Sequence, residues 1–347
     1  MNYSIVQKNG VCKMKALFIG GTGTISSAAA ERALQTGTEL TVLNRGTRPE
    51  PEGAEVLRAD IADEDAVSAL LQNRRFDAVA DFHVFTPEQA ERDIRLFSGK
   101  TDQYLFVSSA SAYQKPPASY PITESTPLRN PFWEYAQDKI ACEEIFTAAY
   151  RSNGFPVTIV RPSHTYGTSG VPLALHGKNG CWQTLDRMRL GKPVIVHGDG
   201  LTLWTFTHSR DFAKGFCGLL GNPHAVGQAV HITSDEALTW NDACMAIGKA
   251  LGVSPNIVHI PSDFLAAFDP GLLGPLLGDK AYCMTFDNAK IKRLVPGFRA
   301  DIRFDEGVRQ SVAFLAEHPE LQIADPAFDA WCDRVVAAHF AGLKAKP

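Results

Sequence analysis

Short apolar runs alternate with helical patterns along the first half of this 347-residue chain. That alternation predicts an α/β fold built on a parallel sheet. Two further observations refine the class. A glycine-rich turn, Gly20-Gly21-Thr22-Gly23, separates the first strand pattern from the first helical one. From residue 167 onward, Gly and Pro punctuate the chain at 167–180, 191–200, 221–227 and 270–278, which marks irregular connections. Right-handed crossovers make the first half a doubly wound, three-layer sandwich. The second half is expected to form a smaller mixed α/β domain over one edge of the sheet.

The elements follow in order. KALFIG (15–20) reads as a strand and the alanine-rich stretch 25–36 as a helix. ELTVLN (39–44) and AEVLRAD (54–60) are the next strands, followed by a helix over 63–72. DAVADF (77–82) is a strand, 87–98 a helix and QYLFVSS (103–109) a strand. A helix over 132–151 precedes the strand PVTIVRP (156–162). In the second half, 238–252 is a helix with Thr239 as its N-cap, NIVHIP (256–261) a strand and 305–317 an amphipathic helix. The expected division is a nucleotide domain over 14–165, with 194–232 returning to it. A substrate region takes 166–193 and 233–347. Residues 1–13 read as a leader or extension, since Met14 followed by KALFIGGTG resembles a chain start.

Composition narrows the classes. With 45% hydrophobic residues the chain can bury a large core, and its net charge of −4 implies no general affinity for nucleic acid. No apolar run reaches the ~20 residues of a membrane span, and the N-terminus lacks a signal peptide's apolar core. Seven dispersed cysteines without a Cys-x-x-Cys fit reduced thiols in the cytoplasm. The ten histidines show no metal-ligand spacing, so no metal site is expected.

The turn Gly20-Gly21-Thr22-Gly23-Thr24-Ile25-Ser26 leaves a strand and opens a helix. Glycines there let a pyrophosphate approach the backbone, and the helix N-terminus offers N–H groups and partial positive charge. This is the turn of a Rossmann-type dinucleotide site, with Ser26 in place of the usual third glycine. The second strand ends in Asn44-Arg45-Gly46-Thr47-Arg48. An acidic residue there would select NAD; Arg45 and Arg48 instead suit the 2′-phosphate of NADP. Asp60 and Ile61 are placed to meet the adenine, while Phe82 and His83 border the cofactor. His83 is assigned no proton transfer. Further along, Tyr135 and Lys139 lie four apart on one helix face.

In order, GGTGTIS (20–26), ADI (59–61), VSSASAY (107–113), Tyr135/Lys139, VRPSHTYG (160–167), HGDG (197–200), TFTHSRDFAKG (205–215), HITSDEALTW (231–240) and DNAKIKRL (287–294) closely resemble the extended short-chain dehydrogenase/reductase superfamily, in its NAD(P)-dependent epimerase/dehydratase group. The resemblance covers about 14–320. It implies that Tyr135 is the general acid/base, that Lys139 bonds the nicotinamide ribose and lowers the Tyr135 pKa, and that Ser109 bonds the reacting oxygen, with Ser111 a weaker candidate. A phenol titrating near ~10 needs such a cation to act as a base at neutral pH. Pro162 and His164, after the sixth strand, fall near the nicotinamide.

Two departures bear on the substrate. Related 4,6-dehydratases carry Asp-Glu directly after the Ser/Thr, whereas here Ala110-Ser111 follow Ser109, which argues against elimination of water. Nucleotide-sugar members often place an arginine four residues after GDG, where this chain has Trp204. An indole stacks on a sugar or base face or packs in a core; it does not pair with phosphate. Lys178 and Asn179 fall in LALHGKNGCW, which reads equally as a binding loop or a surface loop. His208 and Asp211 are read as structural.

The expected activity is NAD(P)-dependent oxidation, reduction or epimerisation at a secondary alcohol or ketone of a sugar-like substrate. A nucleotide-sugar 4-epimerase with tightly bound NAD is an alternative. An inactive cofactor-sensing or RNA-binding relative is the alternative of another class, since GGTG–NRG also resembles chloroplast stem-loop binders. The resemblance further implies a homodimer through helices 87–98 and 132–151.

Overall fold

The computed structural model describes residues 13–344, so nearly all of the expected leader lies outside the described residues. Its centre is a seven-stranded sheet, every neighbouring pair parallel. In chain order the first six strands are β1 (Lys15–Ile19), β2 (Glu39–Asn44), β3 (Glu55–Arg58), β4 (Ala78–Asp81), β5 (Tyr104–Val107) and β6 (Val157–Pro162). The later strand Ala229–Ile232 pairs with β6 and ends the sheet. Across the sheet β3, β2, β1, β4, β5, β6 lie side by side, the doubly wound order whose direction reverses between β1 and β4. Ligands bind in such a sheet at the carboxyl ends of the strands beside that reversal.

Helices cover both faces. On one, α1 (Thr24–Gln35) packs with the helix Ser209–Leu219. Ala29, Ala30 and Ala33 of α1 are fully buried against Phe18, Phe212 and Phe216. Alanine at these positions brings the helix close to the sheet. On the other face lie α2 (Glu64–Leu70), α3 (Pro87–Phe97) and α4 (Glu134–Asn153), and Phe97, Tyr104, Cys142 and Phe146 form that core.

The expected strands and helices of the first half appear with ends shifted by a few residues. The expected strand 103–109 stops at Val107, because Ser109 turns the chain into a short helical turn at Ala110–Ala112 and accepts a hydrogen bond from the Ser111 amide. The expected helix 132–151 runs Glu134–Asn153 and ends on Gly154, whose φ of 69° supplies the left-handed cap. Thr239 caps the helix Trp240–Leu251 as expected, accepting from the Asp242 amide. The helices Trp182–Arg189, Ser209–Leu219 and Pro326–Lys344 were not anticipated. Polar residues and loop glycines flank the first two, which obscures their periodicity.

A third apolar cluster sits beyond the sheet, around Trp204, Phe206, Trp240, Met284 and Phe304. It brings segments from both ends of the second half against the carboxyl edge of β5 and β6. A buried ion pair secures α4 to the sheet: Arg161 on β6 donates to Glu143 through Nε at 2.9 Å and Nη2 at 2.5 Å, and Ser108 donates to the same carboxylate at 2.5 Å. Among the described residues, no helix is long and apolar enough to cross a membrane.

Candidate active site

The glycine turn is shaped as the dinucleotide motif requires. Gly20 has φ +88°, and a Cβ there would meet the His83 ring at 1.9 Å, so only glycine fits between β1 and the end of β4. Gly23 caps α1. Ser26, in the third-glycine position, is 2% exposed. Its hydroxyl accepts from the Gly23 amide at 2.8 Å and donates to the Gly20 carbonyl at 3.3 Å. The substitution thus staples the turn and leaves the first turn of α1 with free amides facing outward.

A cleft of about 660 Å³ runs from this turn across the carboxyl edge of the sheet. It gathers Gly20, Thr22, Gly23, Thr24 and Ile25, then Asn44, Arg45, Arg48, Asp60, Ile61, Phe82 and His83, then Tyr135, Lys139 and Pro162. These are the sequence-derived cofactor positions except His164. Asn44 accepts from the Gly46 amide at 2.8 Å and so shapes the loop after β2; its buried Nδ2 has no partner. Arg48 donates to the Thr22 carbonyl at 3.2 Å. Arg45 stays exposed beside Asp60, 3.7 Å away. The turn, the free helix amides, the two guanidinium groups and the cleft volume all fit a nicotinamide dinucleotide.

A second cavity, about 240 Å³, opens beyond the nicotinamide end of the cleft. Tyr135 and Pro162 line both spaces, so the phenol stands at their junction. Ser109 and Ser111 line the cavity, with their hydroxyls 2.8 Å apart. His164 also lies here rather than in the cleft, and burial pushes its imidazole down to about 3, so it is neutral. Burial raises the Tyr135 pKa, while the neighbouring Ser109 hydroxyl favours the phenolate.

Lys139 is 2% exposed. Its Nζ donates to the carbonyl of Val84, in the loop after β4, at 2.5 Å and to that of Val107, at the end of β5, at 2.8 Å. The Phe85 and Tyr135 rings lie 4.5 and 5.8 Å from it. Burial lowers its pKa to about 8. An ammonium carries three donors, and one remains for the cleft.

Other expected positions stand elsewhere. Lys178 and Asn179 are exposed and are not among the residues lining the cavity. Asn179 instead donates to the Ala324 carbonyl at 3.0 Å, because the loop is pinned against the C-terminal segment. Trp204 does line the cavity, but it is 2% exposed, with its ring 5.3 Å from Trp240. Core packing therefore holds most of the indole. His208 is buried and caps the helix Ser209–Leu219, and Asp211 accepts from Lys214 and from the Ile302 amide. Sequence reasoning missed Trp133, Ser163, Asp279 and Met284 in the cavity, and Phe85, Gln89 and Arg92 in the cleft. Asp279 and Met284 follow a stretch rich in Gly and Pro with no periodic signal. Arg92 could have been found as a charge on the buried side of α3, held by Asp93 at 2.7 Å. Among the described residues no group of three or more His, Cys, Asp or Glu could hold a metal ion.

Comparison with known proteins places this geometry. The family model for the NAD dependent epimerase/dehydratase family matches residues 16–233. The chain belongs to that family. It is 29% identical to the 2′-dehydrokanamycin reductase of Streptomyces kanamyceticus, over 73% of this chain and 71% of the relative. It is 27% identical to a chloroplast stem-loop binding protein of Arabidopsis thaliana, over 72% of this chain and 67% of that one. Two solved structures share the fold. The dTDP-glucose 4,6-dehydratase of Bacillus anthracis, in complex with NAD, has a TM-score of 0.72 at 18% identity, covering 88% of this chain and 98% of that one. The UDP-glucose 4-epimerase of Thermus thermophilus, in complex with NAD, has 0.69 at 21%, covering 88% and 100%. This epimerase/dehydratase family member thus has the family's Rossmann-type sheet and an NAD(P)-class site.

The Lys139 environment makes a pH prediction. The unfolded chain keeps this proton up to the ordinary lysine value of 10.5, whereas the folded protein without nucleotide releases it from about 8. The unfolded state binds more protons between those values, so folding gains stability as pH rises through that window. Urea midpoints of nucleotide-free protein should rise between pH 8 and pH 10 more steeply for wild type than for Lys139→Met. Parallel profiles would contradict this.

Proposed function

We propose that this protein catalyses NAD(P)-dependent oxidation, reduction or epimerisation at a secondary alcohol or ketone of a sugar-like substrate. The observation that carries the reading is the convergence of Ser109, Tyr135 and Lys139 where the dinucleotide cleft meets the second cavity. We assign the substrate to that cavity and to the region 166–193 and 233–347, and the nucleotide to 14–165 with the returning segment 194–232.

The bound nicotinamide supplies the acceptor or donor of the hydride on the carbinol carbon. The chain's own groups handle the proton and the oxygen. In the oxidation direction Tyr135, as phenolate, takes the hydroxyl proton while the C–H electron pair leaves as hydride and the C=O bond forms. Reduction reverses each transfer. Ser109 donates to the reacting oxygen, with Ser111 orienting the Ser109 hydroxyl at 2.8 Å. Lys139, fixed by the Val84 and Val107 carbonyls, turns its remaining donor to the ribose. Ser109 is followed in the chain by Ala110-Ser111 rather than by an Asp-Glu pair, which supports redox or epimerisation over elimination of water by that pair.

NADP is the proposed nucleotide, because Arg45 and Arg48 flank the cleft where an NAD-selective carboxylate would stand. The 2′-dehydrokanamycin reductase supports a sugar ketone as substrate; the stem-loop binder lends an alternative, against which the complete Ser/Tyr/Lys set argues. We place the protein in the cytoplasm. A homodimer through α3 and α4 is also proposed, since the two helices pack side by side on one face of the sheet.

Three outcomes are expected. Tyr135→Phe should lower kcat/KM by about 10²–10⁴-fold, followed by nicotinamide absorbance or product epimer ratio, with nucleotide affinity unchanged. Retained activity would remove Tyr135 from its assigned role. Replacing Arg45 and Arg48 together by Ala should weaken NADP by roughly 10–100-fold and leave NAD within about twofold, measured by titration calorimetry. Light scattering should give twice the chain mass, and a monomer would refute the α3/α4 pairing.

A further inference from the structure

The second cavity contains a carboxylate that the chemistry above does not use. Asp279 lines it together with Tyr135, Trp133 and Trp204. Among the described residues its carboxylate forms no ion pair within 4.0 Å and accepts no hydrogen bond, although burial pushes its acid upward and Lys115 and Lys280 counter only part of that. Asp279 is half-buried at the cavity wall, and a carboxylate there with no protein donor or cation against it is open to pairing with a ligand.

The backbone holding Asp279 is fixed on both sides. On one side Asn130, 3% exposed, donates through Nδ2 to the Gly278 carbonyl at 2.7 Å and to the Ser111 carbonyl at 2.9 Å. One amide thus ties the Asp279 segment to the catalytic serine turn. On the other side the Lys280 carbonyl accepts from Thr202 at 3.1 Å and meets the His197 Nε2 at 2.9 Å. Gly274 and Gly278 press on Trp133 so closely that a Cβ at either would lie 2.2 or 2.9 Å from it. The backbone at Asp279 is therefore anchored on one side to the serine turn and on the other to Thr202 and His197.

The rest of the lining defines what it can meet. No arginine or lysine lines the cavity, two indoles do, and its volume of about 240 Å³ lies below the ~300–1,000 Å³ of drug-sized ligand pockets. A phosphoryl group finds no cation in it. A protonated amine finds a carboxylate and aromatic rings, both of which attract cations.

We propose that Asp279 is the specificity-determining group of this cavity and pairs with the ammonium of an amino sugar whose neighbouring carbinol or carbonyl carbon lies at Tyr135. This rests on the reading of Ser109, Tyr135 and Lys139 as the proton-transfer site. The pairing has a catalytic consequence. Asp279 raises the Tyr135 pKa, and an ammonium that neutralises it removes that opposition when substrate binds.

The test is calorimetric titration of the NADP-loaded protein with glucosamine, N-acetylglucosamine and glucose, at a pH where the amine is protonated. Glucosamine should bind about 10-fold or more tighter than the other two. Asp279→Asn, isosteric and with its backbone contacts intact, should erase that preference and leave NADP affinity unchanged. Equal affinities for the three sugars, no glucosamine binding, or a preference that survives in Asp279→Asn would each overturn the proposal. The wild-type comparison decides even if the variant does not fold. Loss of the oxidoreductase reading would appear separately, as no NADPH consumption with any keto sugar while the glucosamine preference stands.

Discussion

A buried ammonium organises the site. Lys139 reaches from α4 to the Val107 carbonyl at the end of β5 and to the Val84 carbonyl in the loop after β4, and two charge-assisted hydrogen bonds repay part of its desolvation. That single attachment sets the height of α4 along the sheet. With Lys139 seated, Tyr135 one turn earlier has to stand at the strand ends, where the nucleotide cleft stops and the second cavity begins. The Arg161–Glu143–Ser108 network repeats the attachment further along α4. Together they make the position of Tyr135 a property of the contacts α4 makes with the sheet edge.

The glycine turn obeys a related constraint. Gly20 lies between the His83 ring and the start of α1, with no room for a Cβ, and Ser26 closes the turn by hydrogen bonds within it. The departure from the three-glycine pattern is thus compensated locally. The same loop and strand end that hold Lys139 also carry Phe82 and His83 into the cleft, so the phosphate end and the reacting end share one rigid edge.

The second cavity is assembled differently. It draws on the serine turn, the start of α4, the end of β6, Trp204 and the segment around Asp279. Asn130, 148 residues from Gly278 in the chain, joins the serine turn to the segment around Asp279. Trp204, where related nucleotide-sugar enzymes often carry an arginine, is mostly a core residue in contact with Trp240. The cavity's character then depends on a carboxylate and aromatic rings rather than on a phosphate-binding cation.

The α/β class, the order of strands and helices through β6, the glycine turn and the Tyr135/Lys139 pair are legible in the sequence. Each is written in neighbours: periods of 2 and 3.6, a turn that only glycine can make, and two side chains one helical turn apart. Packing places His164 and Asp279 on the second cavity, leaves Lys178 and Asn179 off its lining and makes Trp204 chiefly core. Those outcomes depend on contacts between segments far apart in the chain. Their residues sit in Gly- and Pro-rich stretches with no period to read, so only packing reveals which side chain points inward.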